Sequence, residues 1–271
     1  MSRPGHLPTT AALVRRFFRV DTRAGLYLLV RCAGFPHFDA LERRLPPEGA
    51  ILDAGCGYGL LAILAGERQP AREVLGIDRL EGRLRIGREV VRRFGPRNVD
   101  LRAGRLEDLP RGPFAAVVLT DVLMYRPLAD QARVLDDCRE RLAPGGMLIV
   151  KEQVARPRWK ARCVDWQEKL VVGMKTGLAP DSPWSEMAPH GVELWEAESL
   201  RDRLKGSGLM VEDEPMDAFS YLSHHLFIAR AAGSARPAPA VLALPAPAAP
   251  SPPVPAPSAP DRVAERPRRA R

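Results

Sequence analysis

Four cysteines in 271 residues, at positions 32, 56, 138 and 163, form no CxxC pair. That number and spacing exclude the disulfide-dense scaffolds of small secreted domains and the paired thiolates of zinc sites, so no metal is expected and the thiols are read as reduced, in a cytoplasmic protein. Long apolar runs are also missing. None approaches the ~18–20 residues that span a bilayer, and the opening MSRPGHLPTTAALVRRFF is broken by charge and proline where a signal peptide would be continuously apolar. Finally, the body of the chain lacks an excess of one charge. The net charge is +8, but residues 1–50 hold eight Arg against four acids and residues 232–271 hold six Arg against two. Residues 51–231 balance to zero, which argues against nucleic acid as a partner, because a nucleic-acid enzyme carries its basic footprint on the catalytic body.

A hydrophobic fraction of 45% is enough for one sizeable core with appendages. Eleven of the 27 prolines fall after Gly233, in a stretch with no aromatic residue. Such a segment buries too little apolar surface to offset its ordering entropy, so residues 232–271 are expected to be a disordered, Pro/Ala-rich tail.

Between the ends, short apolar runs alternate with helical patterns. Strands are expected at 50–55, 73–78, 99–104, 113–121 and 147–152, with helices at 59–70, 81–95 and 128–146. Strands this continuously apolar are covered on both faces, so a doubly wound, mostly parallel α/β sheet is expected. After residue 153 the alternation breaks. A segment of about forty residues, 153–195, is too long for a bare connection and is read as a lid-like insertion after the fifth strand; it carries Trp159, Trp166, Trp184 and Trp195. A helix over 197–209 and strand candidates at 210–219 and 224–231 then suggest an antiparallel hairpin on one sheet edge.

The most specific stretch is LDAGCGYG, residues 52–59. A dinucleotide site needs GxGxxG, with the pyrophosphate on the following helix N-terminus. Here Gly55, Gly57 and Gly59 sit one residue closer, and Asp53 precedes them. A carboxylate beside the turn repels a pyrophosphate but suits a cationic cofactor without phosphates, such as S-adenosylmethionine (SAM). With this turn, GID ending at Asp78, FAAVVLTDVLMY with Asp121 at its strand end, and LAPGGMLIV, residues 48–231 resemble the class I (Rossmann-like) SAM-dependent methyltransferases of the small-molecule type. The resemblance implies a seven-stranded sheet with an antiparallel last strand, and SAM as cofactor. It places Asp53, Gly55, Cys56, Gly57 and Gly59 around the methionine part, Asp78 with its neighbour Arg79 at the ribose, and Arg105, Leu106 and Asp121 around the remaining cofactor site. One departure stands out. Where the family often has Gly-Asp after the third strand, this chain has Gly104-Arg105-Leu106, so either Glu107, a backbone carbonyl, or packing between Leu106 and Leu80 must hold the adenine.

Methyl transfer needs an aligned acceptor and exclusion of water; a general base adds to this for acceptors of high pKa. Asp121 and Tyr125 follow the fourth strand, His190 lies in the insertion, and His224 and His225 open the last strand on opposite faces. From these, Asp121, Tyr125, His190 and His225 are the catalytic candidates. TDVLMY replaces the DPPY-type tetrad used to stack a nucleobase, and no cysteine here follows proline, so nucleic-acid bases are poor acceptors. The Trp-bearing insertion suits a small apolar or aromatic metabolite, O-methylated in preference to N-methylated. Residues 1–47 interleave Arg with bulky apolar side chains. They read either as a helical cap over cofactor and acceptor or as a surface for peripheral contact with an anionic membrane, and a lipid acceptor would reconcile the two. A catalytically idle SAM-binding scaffold is the competing reading.

Overall fold

A computed structural model describes residues 9–33, 37–155, 192–216 and 223–231 of the chain. Strands β1 (Gly49–Ala54), β2 (Arg72–Asp78), β3 (Val99–Ala103), β4 (Phe114–Thr120), β5 (Leu142–Gln153), β6 (Leu209–Pro215) and β7 (His224–Ala231) form one sheet in the order β3-β2-β1-β4-β5-β7-β6. The first five run parallel, and β7 enters antiparallel between β5 and β6. This is the seven-stranded sheet expected from the sequence.

Why the strands read as unbroken apolar runs is visible in their side-chain alternation. Ile51 of β1 with Ala116 and Val118 of β4 pack into one core, while Ala50, Leu52, Ala54, Val117 and Leu119 pack into another across the sheet. Each inner strand therefore buries both faces. Helices α4 (Leu60–Arg68) and α5 (Glu81–Phe94) supply the first core, and α6 (Leu128–Glu140) and α7 (Ala197–Gly206) the second.

The N-terminal stretch forms α1 (Thr10–Val20), α2 (Thr22–Ala33) and α3 (His37–Glu42). Only Asp21 separates α1 from α2: it takes an extended conformation, and its carboxylate accepts a hydrogen bond from Ala24 N at 2.7 Å, capping the new helix. Leu13, Val14, Phe17, Ala24 and Leu28 join these helices to the first core. Helix α3 is tied down by charge. Glu42 bridges Arg72 (2.6 Å) and Arg68 (2.7 Å), and the buried Arg72 guanidinium also donates to the carbonyls of Pro46, Ala65 and Leu45.

One boundary departs from the expected pattern. Pro144-Gly145-Gly146 reads as a helix stop, yet β5 already starts at Leu142, which pairs with Phe114 before a register shift realigns Met147 with Ala116. Of the insertion expected at 153–195, the described part is 153–155 and 192–195. Glu193 N donates to Met124 O (2.9 Å) and Ala155 N to Trp195 O (2.8 Å), so both ends return to the carboxyl ends of β4 and β5. Trp159, Trp166, Trp184, His190 and the tail 232–271 lie outside the described residues.

Candidate active site

Strand order reverses between β1 and β4, and in an open parallel sheet the crevice beyond the carboxyl ends of such strands is where ligands bind. A cavity of about 380 Å³ opens there. Its walls hold nine of the ten cofactor residues expected from the sequence: Asp53, Gly55, Cys56, Gly57, Asp78, Arg79, Arg105, Leu106 and Asp121; Tyr125 lines it too. Gly59 does not. It precedes α4 with a φ of +78°, and a Cβ there would meet Leu101 Cδ1 at 2.7 Å, so its task is to let the helix start against β3.

The glycine turn is fixed from below. Gly55 N and Cys56 N both donate to Ile77 O (2.7 and 2.9 Å), locking the turn to β2. Gly55 has a φ of +83°, and an added Cβ would meet Val122 Cγ2 at 2.5 Å. Gly57 also has a left-handed φ, +59°, but a Cβ there would meet nothing within 4 Å. That glycine keeps backbone open toward the cavity, which is what close approach of a ligand requires.

Two carboxylates lie under the turn. The Asp78 oxygens accept from Gly57 N (2.8 Å) and Leu80 N (2.9 Å), holding the carboxylate at the tip of β2 with lone pairs left for two hydroxyls of a ligand. Asp53 is 3% exposed, and its Oδ2 has no hydrogen-bond partner among the described residues. Burial, and then the nearby Asp78 charge, push its carboxyl up to about 7. An orphaned buried carboxylate facing a cavity calls for a cationic or donor group from the ligand, so this end fits the ammonium of SAM as it would not fit a pyrophosphate. Leu80, Leu106 and Ile77 give an apolar wall beyond Asp78. Glu107, one candidate for the adenine contact, is engaged by Arg126 at 2.7 Å, whose hydrogen bond holds its carboxyl down at about 2.

The other end of the cavity is built around Asp121. This residue has a left-handed φ of +52°, uncommon outside glycine, and it is 8% exposed. Lys151 Nζ and Arg31 Nη2 both lie 2.5 Å from its Oδ2, and His224 Nδ1 lies 3.6 Å from Oδ1. Burial alone would raise the Asp121 carboxyl; the Lys151, Arg31 and His224 charges reverse that and hold it well below the usual carboxylate range. Beside it, Glu152 accepts from Val122 N and Leu123 N, both at 2.8 Å. Burial and the Asp121 charge push Glu152 up to about 8, and burial lowers the Lys151 ammonium. Asp121 is therefore a weak base near neutrality, and its geometry gives it the task of collecting cations at the strand end.

Several of these residues are not evident from the sequence. Tyr27, Leu28 and Arg31 of α2 and Phe38 of α3 wall the cavity; Arg83 on α5 stacks over the Tyr27 and Tyr58 rings at 5.5 and 5.6 Å. Lys151 and Glu152 carry a legible signal, being two charges at the end of the apolar strand MLIV. Of the two strand-opening histidines, His224 faces Asp121. His225, the one chosen from sequence, instead meets Asp213 of β6 at 2.7 Å and stacks on Phe227, outside the cavity lining.

Residues 51–146 match the family described as a methyltransferase domain. The sheet order is that of the class I methyltransferase fold, so the match and the topology agree over these residues. Among its relatives, the demethylmenaquinone methyltransferase of Thermus thermophilus is 35% identical over 112 residues, covering 40% of this chain and 49% of that protein. Ribosomal RNA small subunit methyltransferase G of Halorhodospira halophila is 33% identical over 107 residues, covering 40% and 48%. The chain thus matches about half the length of these curated relatives. The structure of an O-methyltransferase family protein from Burkholderia thailandensis shares the fold with a TM-score of 0.57 at 16% identity, covering 82% of this chain and 63% of that one. The family match stops at Gly146, so it takes in the glycine turn, Asp78 and Asp121 but not Lys151, Glu152 or His224.

Proposed function

We propose that the protein transfers a methyl group from SAM to a small, apolar or aromatic acceptor, with oxygen the favoured target. The observation that carries this reading is the asymmetry of the cavity. One end presents Asp53 and Asp78 to a cationic nucleoside; the other is walled by Tyr27, Leu28, Phe38 and Tyr125, with Arg31 at its base. When bound, SAM supplies an electrophilic methyl on its sulfonium. Asp53 would hold the ammonium, Asp78 the ribose hydroxyls, and Gly57 the close backbone approach. The α2 and α3 side chains would exclude water and align the acceptor, an effect worth several kcal/mol of barrier in well-oriented reactions. Because Asp121 is held ionised between two cations, the reading assigns it no proton abstraction. Arg31, which lines the cavity, instead favours an acceptor oxygen that carries negative charge as it reacts, with Lys151 behind it sharing the Asp121 carboxylate. The 35% likeness to a demethylmenaquinone methyltransferase supports an apolar acceptor, and the lack of a net positive charge on the catalytic body argues against RNA.

The test is transfer of labelled methyl from SAM to three acceptor pools: hydroquinones and phenols, alkylamines, and structured RNA. Label recovered as phenolic ethers, and lost in Asp78→Ala through at least tenfold weaker SAM binding, is expected. Label in RNA alone would overturn the acceptor class. Tight SAM binding with no transfer to any pool would favour the idle scaffold.

A further inference from the structure

The outer face of α2 is unlike the rest of the surface. Leu26, Leu29 and Val30 are 39%, 47% and 51% exposed, and their spacing of three and four residues puts them on one side of the helix. They are three of the five large apolar side chains exposed among the described residues. The opposite side of the same helix buries Leu28 and lines the cavity with Tyr27 and Arg31. The two helices carry an excess of positive charge: residues 10–33 hold five arginines against one acid, Asp21, whose carboxylate is used in capping α2. Arg16 and Arg31 are spent on Glu67 and Asp121, whereas Arg15 and Arg23 are exposed and have no ion-pair partner among the described residues.

We infer that α1 and α2 dock on an anionic lipid surface, with Leu26, Leu29 and Val30 entering the headgroup boundary and Arg15 and Arg23 meeting lipid phosphates. An apolar ridge flanked by basic residues on a helix too short to span a bilayer is the pattern of in-plane membrane association. Self-association through this face is disfavoured, because a two-fold pairing would set arginine against arginine. The ridge and the wall of the acceptor end belong to one helix, so docking would bring that end of the cavity to the lipid. An apolar acceptor could then enter without crossing water. This last step rests on the acceptor class proposed above; the docking itself does not.

The experiment is co-sedimentation of the full chain with vesicles of phosphatidylglycerol and phosphatidylcholine in equal amounts, and with phosphatidylcholine alone. Binding to the mixed vesicles that weakens with added salt is expected. Two variants separate the contributions. Leu26→Gln/Leu29→Gln/Val30→Gln should bind the mixed vesicles at least about tenfold more weakly, since it removes the inserted ridge. Arg15→Gln/Arg23→Gln should lose affinity several-fold and lose part of the salt dependence. Both should keep the thermal shift given by S-adenosylhomocysteine, because neither set lines the cavity. Absence of wild-type binding to mixed vesicles, or binding unchanged in both variants, would overturn the inference. So would a concentration-dependent dimer that the Leu/Val variant dissolves. Vesicle binding is read without methyl transfer, so its failure leaves the cofactor reading standing, and loss of cofactor binding leaves the docking result intact.

Discussion

At Gly55 and Gly57 the same backbone conformation serves two different purposes, and substitution separates them. Alanine at 55 meets Val122 as well as the strain of a left-handed φ, so Gly55→Ala should cost about 2–4 kcal/mol of stability. Alanine at 57 meets no protein atom, so its cost should stay near 1–2 kcal/mol, from backbone strain alone. Its effect should appear in ligand affinity, weakened at least tenfold for S-adenosylhomocysteine. Denaturant unfolding and calorimetric titration read the two quantities separately. Unchanged affinity in Gly57→Ala would mean that the ligand does not approach there.

Asp53 makes a second residue-scale prediction, through pH. Its folded carboxyl, at about 7, stands above the ordinary value of 3.8, so ionisation is harder in the folded state. The stability it contributes is complete below about pH 4 and is lost as pH rises through about 7. A cationic ligand reverses the preference, because it binds the ionised form. Affinity for S-adenosylhomocysteine should therefore rise between about pH 6 and 8, and Asp53→Asn should flatten that slope. An identical slope in Asp53→Asn would assign the titration to another group.

Among the elements, α3 is held to the body by a buried ion pair as well as by apolar contact. Glu42→Ala would leave the Arg72 charge buried with only carbonyl acceptors, and should cost about 3 kcal/mol. Because α3 also carries Phe38 into the cavity, ligand affinity should fall with it. A loss below about 1 kcal/mol would show that solvent already screens the pair. Strands β1 to β4 and β7 were legible from sequence to within a residue or two, since strands buried on both faces leave unbroken apolar runs, whereas the edge strand β6 ends at Pro215, short of the expected 219. The start of β5 was not legible: Ala143-Pro144-Gly145-Gly146 looks like a breaker, and only pairing of Leu142 with Phe114 across the sheet draws it into the strand. Nor was the single-residue break at Asp21, where a side-chain cap allows one helix to follow another directly.

Across the whole molecule, legibility divides along the cavity. The cofactor end is local in sequence: Asp53 and the glycine turn lie within seven residues, and Asp78 ends the next strand. The acceptor end is assembled from Arg31, Asp121, Lys151 and His224, brought together only by the order of the strands and the docking of α2. Alternation along β7 identified two histidines on opposite faces, but which face meets Asp121 depends on the register with β5, where His224 pairs with Gln153 and His225 with Glu152. The family match, residues 51–146, takes in the cofactor end but, of the four acceptor-end residues, only Asp121.

The most direct test of the cavity's cofactor end is calorimetric titration of the full chain with SAM, S-adenosylhomocysteine and NAD, supported by thermal unfolding at about 100 Kd, where a specific ligand adds about 2.7 kcal/mol. Asp53 beneath the glycine turn predicts binding of both sulfur nucleosides at one site, lost in Asp78→Ala, with NAD bound far more weakly. Tighter binding of NAD, or no heat and no shift with either sulfur nucleoside in folded protein, would contradict the account.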